Sequence, residues 1–117
     1  MYTYYRVTKT EEHMLYPTEI AVLAGLYSLN ENPATMLVSA ILNEYTDHIE
    51  GYEQYYYLAK GGKQNKVYPK SVYVPAIVDF LSKIMNQHGE NIPATLKRKV
   101  GDKNYNFKIK IEENIIE

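Results

Sequence analysis

The sequence predicts an α+β fold: one small domain, residues 1–117, with three helices and a small antiparallel sheet that ends in a β-hairpin. Three observations lead there. Apolar residues recur at helical spacing over residues 18–29, 33–50 and 75–88, while runs rich in tyrosine and β-branched residues fall at 2–8, 67–74 and 94–111. The chain's 117 residues match one domain that can bury a core without disulfides or a structural metal.

YTYYRVT, residues 2–8, alternates Tyr5 and Val7 against Tyr4 and Arg6 and is expected to be a strand. Thr18 then stands where an N-cap is needed, with Glu19 in the first turn, where the helix dipole favours an acid. Two stripes, Ile20-Leu23-Ala24-Tyr27 and Val22-Leu26-Leu29, make this helix apolar around much of its circumference, and Asn30-Glu31-Asn32 ends it.

Asn32-Pro33 reads as an N-cap followed by proline at the first helical position. From there Val38, Leu42, Tyr45, Ile49, Tyr52, Tyr56 and Ala59 recur at spacings of four and three. Followed to Lys60, this seam would make a helix about 42 Å long, at a rise of 1.5 Å per residue. Gly51 offers a break, so the helix is expected to end near Glu50, and YYYLA fits either a helix or a strand. Gly61-Gly62 closes the element in both cases.

VYPKSVYV, residues 67–74, reads as a strand that Pro69 either confines to a sheet edge or restricts to Ser71–Val74, and Pro75 opens a helix ending at Gly89. That helix carries a stripe of Ile77, Val78, Leu81, Ile84 and Met85 opposite Asp79, Ser82, Lys83, Asn86 and Gln87. The closing hairpin joins 94–100 to 104–111 through Gly101-Asp102-Lys103. Pairing Val100 with Tyr105 sets Lys97 opposite Lys108, a like-charge contact that suggests an anion is wanted there.

Charge is strongly segregated although the net is −1. Residues 1–59 hold two bases against eight acids, residues 60–72 hold four lysines and no acid, and residues 94–110 hold six bases against Asp102. With no cysteine, disulfide frameworks, thiolate nucleophiles and cysteine-bound zinc are excluded. The longest apolar run, Ile20–Tyr27, is too short to span a membrane, and MYTYYRV lacks a signal-peptide layout, so a cytoplasmic protein is expected. Abundant Lys, Asn, Ile and Tyr, with AT-rich codons, fit a virus, a plasmid or a low-GC bacterium.

No catalytic site, metal or cofactor is expected. Glu44 and His48 are spaced to share a helix face, but no third ligand accompanies them. His13 and His88 are isolated, and no nucleophile elbow or phosphate loop is present. The two basic stretches instead suggest DNA or RNA. Lys60, Lys63, Lys66, Lys70, Lys97, Lys99, Lys108 and Lys110 would neutralise phosphates, while exposed rings such as Tyr68 stack on bases. The competing reading packs the tyrosines in a core and leaves the lysines as guards of sheet edges.

The order of helix, helix, short strand, helix and basic hairpin, over roughly residues 18–111, resembles a winged helix-turn-helix. That resemblance implies a recognition helix at Pro75–His88 and a wing at 94–111. The expected function is thus a small non-enzymatic nucleic-acid-binding protein or regulator, encoded by a mobile element. The alternative is a protein-binding module, either a homodimer joined through Val38, Leu42, Tyr45 and Ile49 or an inhibitor of a host protein.

Overall fold

The computed structural model describes residues 3–6, 14–58 and 60–110. The expected strand at 2–8 is seen as β1 (Thr3–Arg6); Tyr2, Val7, Thr8, His13, Ala59 and Ile111 lie outside the described residues. Among the described residues the fold is α+β, with three helices and two three-stranded sheets.

Helix α1 (Pro17–Ala24) takes Tyr16 as its N-cap, two residues before the expected Thr18, with Pro17 at its first position. The Tyr16 amide donates to Glu19 Oε1 at 2.9 Å, which occupies an otherwise orphaned donor. The helix also stops five residues short of Leu29. Gly25 adopts φ 73° and caps it, and Leu26–Tyr27 turn into a short strand, β2. Pro33 does not open the second helix but bridges back to Tyr27, and the Ala34 amide bonds the Leu26 carbonyl at 3.0 Å. Returning to β2 thus delays α2 to Thr35–Asp47.

The 4-3 seam breaks after α2. Gly51 takes φ 70°, and 53–58 form strand β3 (Glu53–Leu58), not a continued helix. β3 pairs in parallel with β1, an arrangement the expected antiparallel sheet did not include, and antiparallel with β4 (Gln64–Val67). The link between them carries a 3₁₀ turn, Lys60–Gly62.

Helix α3 (Lys70–His88) corrects the reading of VYPKSVYV. Ser71–Val74 is its first turns, Pro69 is the N-cap, and Pro75 lies inside. Val72, Tyr73, Ala76, Ile77, Phe80 and Ile84 are buried at helical spacing, and this packing outweighs the β-propensity of the run and the hydrogen bond Pro75 cannot make. The buried face is therefore rotated from the expected stripe, leaving Val78 and Met85 in solvent.

The hairpin is β5 (Leu96–Val100) and β6 (Lys103–Ile109), paired with Val100 opposite Lys103. The turn therefore has two central residues, Gly101 and Asp102, with glycine first at φ 62°, as such turns require. The register is shifted by two from the expected one, so Leu96, Val100 and Phe107 still face the core while Lys97 meets Asn106 instead of Lys108. β2 pairs with β6, giving the strand order β2-β6-β5. α1 precedes β2, α2 and α3 lie between β2 and β5, and the β3–β4 hairpin falls between α2 and α3. The short strand expected at Ser71–Val74 is not formed, because those residues belong to α3, while β2 takes residues expected to be helical. Phe80 and Phe107, 5.7 Å apart between ring centroids, join α3 to β6 within the core.

Candidate functional site

Alternation along β5 and β6 decides which side chains the hairpin offers. Lys97 and Lys99 point away from the core and are exposed, beside exposed Asn104 and Asn106. Lys103, at the start of β6, is exposed next to the turn. None of these three lysines is ion-paired among the described residues. Arg98, on the inward side, is half-buried, with its guanidinium 5.7 Å from the centre of the Phe80 ring and bonded to Gln87 Oε1 at 3.0 Å.

Lys108 and Lys110 share the outward face but not the freedom. Lys108 Nζ lies 2.6 Å from Glu31 Oε1, Lys110 is paired with the other oxygen of the same carboxylate, and Lys110 also sits 5.3 Å from the Tyr27 ring centre. Glu31 is held at φ 68° in the turn between β2 and α2, where its amide bonds the Ser28 carbonyl. The two ammonium groups, Lys108 first, hold the Glu31 carboxyl below its ordinary pKa.

The other basic stretch is on the other sheet. Lys60 lies in the 3₁₀ turn, Lys63 is exposed just beyond it, Lys66 is half-buried on β4, and Lys70 opens α3. Tyr68 is only 1% exposed, so its ring packs in the core and is not offered for stacking. Tyr52 is buried too, and Tyr55, Tyr56 and Tyr57 are half-buried along β3. Tyr57 packs 5.5 Å from Tyr16, whose hydroxyl pKa is raised by burial and, less, by Tyr57 and Glu19.

The dimer seam is likewise internal. Val38 and Leu42 are fully buried and Tyr45 and Ile49 pack against the core, so these side chains are spent within one chain. Exposed apolar surface lies elsewhere, in a groove between α1 and α3 where Leu23, Val74 and Val78 reach solvent. Glu44 and His48 are both exposed, and the described residues contain no group of three side chains able to hold a metal. No described helix is long and apolar enough to cross a membrane.

Sequence reasoning passed over Lys103 by placing it in a three-residue turn, although Gly-Asp alone signals a two-residue one. It also counted Glu31 as a helix end, because a contact 77 positions away leaves no local trace. Comparison with protein-family models, with curated proteins and with solved structures found no match for this chain.

Proposed function

We propose that this chain is a non-enzymatic nucleic-acid-binding protein or regulator, of the kind a mobile element encodes, which grips phosphates with its hairpin. One observation carries the reading: Lys97, Lys99 and Lys103 stand exposed and without ion pairs among the described residues, on the wing position of a winged helix-turn-helix order. The outward face of α3 favours positioning over base reading, since Lys83, its one lysine beyond the first turn, is paired with Asp79, and Val74, Val78 and Met85 stand exposed among its polar residues. Fluorescence anisotropy of labelled DNA and RNA oligonucleotides across a salt series tests this. Three phosphate contacts give a slope of log affinity against log salt of about −2.7 on duplex DNA. Absence of binding at the lowest salt would falsify the proposal.

A second reading rests on the α1–α3 groove. Leu23 and Val78 are each about half exposed, at 52% and 55%, in a polar-poor groove, which favours a protein-binding role with a second copy of the chain over this face. Light scattering at high concentration would then give a mass near twice 13.6 kDa, whereas a strict monomer removes the self-association reading.

A further inference from the structure

Three apolar side chains stand in solvent along the groove between α1 and α3: Leu23 from the first helix, Val74 and Val78 from the second. Buried Ile20, Tyr73 and Ile77 lie among them, Ala24 completes the α1 wall, and the Tyr73 hydroxyl is the one polar side-chain atom of the lining. The groove holds about 150 Å³. An apolar space of that size admits a group as large as benzene, so one or two aliphatic side chains would fill it.

Strand β6 leads to this groove. It runs antiparallel to β2, with Lys108 opposite Tyr27 and Ile109 opposite Leu26, and the Lys110 amide then bonds the Gly25 carbonyl at 2.7 Å. Gly25 directly follows Ala24, so Lys110, the last described residue, stands beside the α1 wall. The residues after it read IEENIIE, and three of these seven are isoleucines, Ile111, Ile115 and Ile116. Seven residues reach up to about 25 Å, whereas the groove runs along α3 only from position 73 to 78, about 7.5 Å at 1.5 Å per residue. Reach is therefore ample, and isoleucines left in water would forgo the burial that the groove offers.

A second copy of the chain and this segment differ in what they require. A standard interface engages about 20–30 residues on each side, far more than the seven that line the groove, so a second copy must recruit surface beyond it. A segment already joined to the rim needs the groove alone, because the joint gives it an effective concentration on the order of millimolar and removes much of the cost of association.

We infer that residues 111–117 dock on the α1–α3 groove of their own chain, with isoleucine side chains against Leu23, Val74 and Val78 and with Glu112, Glu113 and Glu117 in water. The inference is independent of the nucleic-acid reading, and it sets this segment against a second copy as the occupant of one face.

The test is methyl NMR on the full chain without nucleic acid. Nuclear Overhauser cross-peaks are expected from the δ1 methyls of Ile115 or Ile116 to the methyls of Leu23, Val74 and Val78. None are expected in an isotope-filtered spectrum of mixed labelled and unlabelled chains, which reports contacts between copies only. Ile115→Glu with Ile116→Glu should abolish these cross-peaks, shift the Leu23 and Val78 methyl resonances, and raise the fluorescence of an added apolar dye several-fold, with the Ile84 methyls of the core unmoved. Absence of any cross-peak from the three isoleucines to the groove overturns the docking, as do groove methyls that stay in place in the double variant. Cross-peaks that appear in the filtered spectrum overturn it in favour of a second copy.

Discussion

The two strands of the closing hairpin carry the same kind of residue toward the same side of the sheet and end in opposite states. On β5, Lys97 and Lys99 stand in solvent. On β6, Lys108 is paired with Glu31, and Lys110 is held by Glu31, by the Tyr27 ring and by its own backbone, whose amide bonds the Gly25 carbonyl at 2.7 Å. The difference comes from position in the sheet. β6 is the central strand, so β2 and the turn beyond it reach its lysines; β5 is the edge, and charge on an edge also discourages unwanted strand pairing. A basic stretch in a sequence is therefore not yet a basic surface, because a distant carboxylate can already occupy it.

The largest effect comes from unlocking the end of β6. At Gly25 an added Cβ would lie 2.0 Å from the Lys110 carbonyl oxygen, on backbone at φ 73°. Gly25→Ala must both strain that backbone and push β6 away, so a loss of at least about 2 kcal/mol is expected, read as a fall in Tm of about 10 °C. Gly101 has a similar φ but open space around it. Gly101→Asn is expected to cost under about 1 kcal/mol, since asparagine tolerates such backbone. Equal losses at the two sites would show that the ends of β6 are not held differently.

A smaller effect separates the lysine pairs by function. Lys97→Gln with Lys99→Gln is expected to weaken nucleic-acid binding about tenfold at low salt and to reduce the salt slope by about 1.8, with Tm unchanged. Lys108→Gln with Lys110→Gln is expected to change binding less, because Glu31 already engages both groups and cancels one of their two charges. If the β6 pair proves the more important, the phosphate grip lies on the central strand and Glu31 must move aside on binding.

These contrasts also mark what the sequence could disclose. The core faces of β5 and β6 were legible because side chains alternate, and a register shift of two leaves every residue on its face. The register itself was not, since it depended on whether Lys103 joined the turn or the ladder. VYPKSVYV was misread because local β-propensity is weaker than burying Val72, Tyr73, Ala76 and Ile77 together on a helix. The seam from Val38 to Ile49 was found but given to a partner, when the core of one chain uses it. Among the site residues, exposure of Lys97 and Lys99 followed from alternation alone. Burial of Tyr68 depended on its bridge to Leu15, and the neutralising of Lys108 depended on Glu31, both contacts between segments far apart in sequence.

Removing Glu31 sharpens the comparison most finely. Glu31→Gln should make β6 resemble β5 by releasing Lys108 and Lys110, so nucleic-acid affinity is expected to rise a few-fold with a steeper salt slope. The same variant should lose a little thermal stability near neutral pH, little because the carboxylate is exposed and screened. The sign with pH follows from linkage. Both ammonium groups depress the folded-state pKa of Glu31 below its unfolded value, so between the two values the unfolded chain binds more protons. The contribution is full above the ordinary carboxylate pKa, near 4.3, and is lost as pH falls through the depressed folded value. The Tm difference between wild type and Glu31→Gln should thus be flat above about pH 5.5, shrink on acidification and shrink again in high salt. A difference that survived at pH 2 would assign the effect to the φ 68° turn that Glu31 occupies, and the lysines of the two strands would then differ by geometry alone.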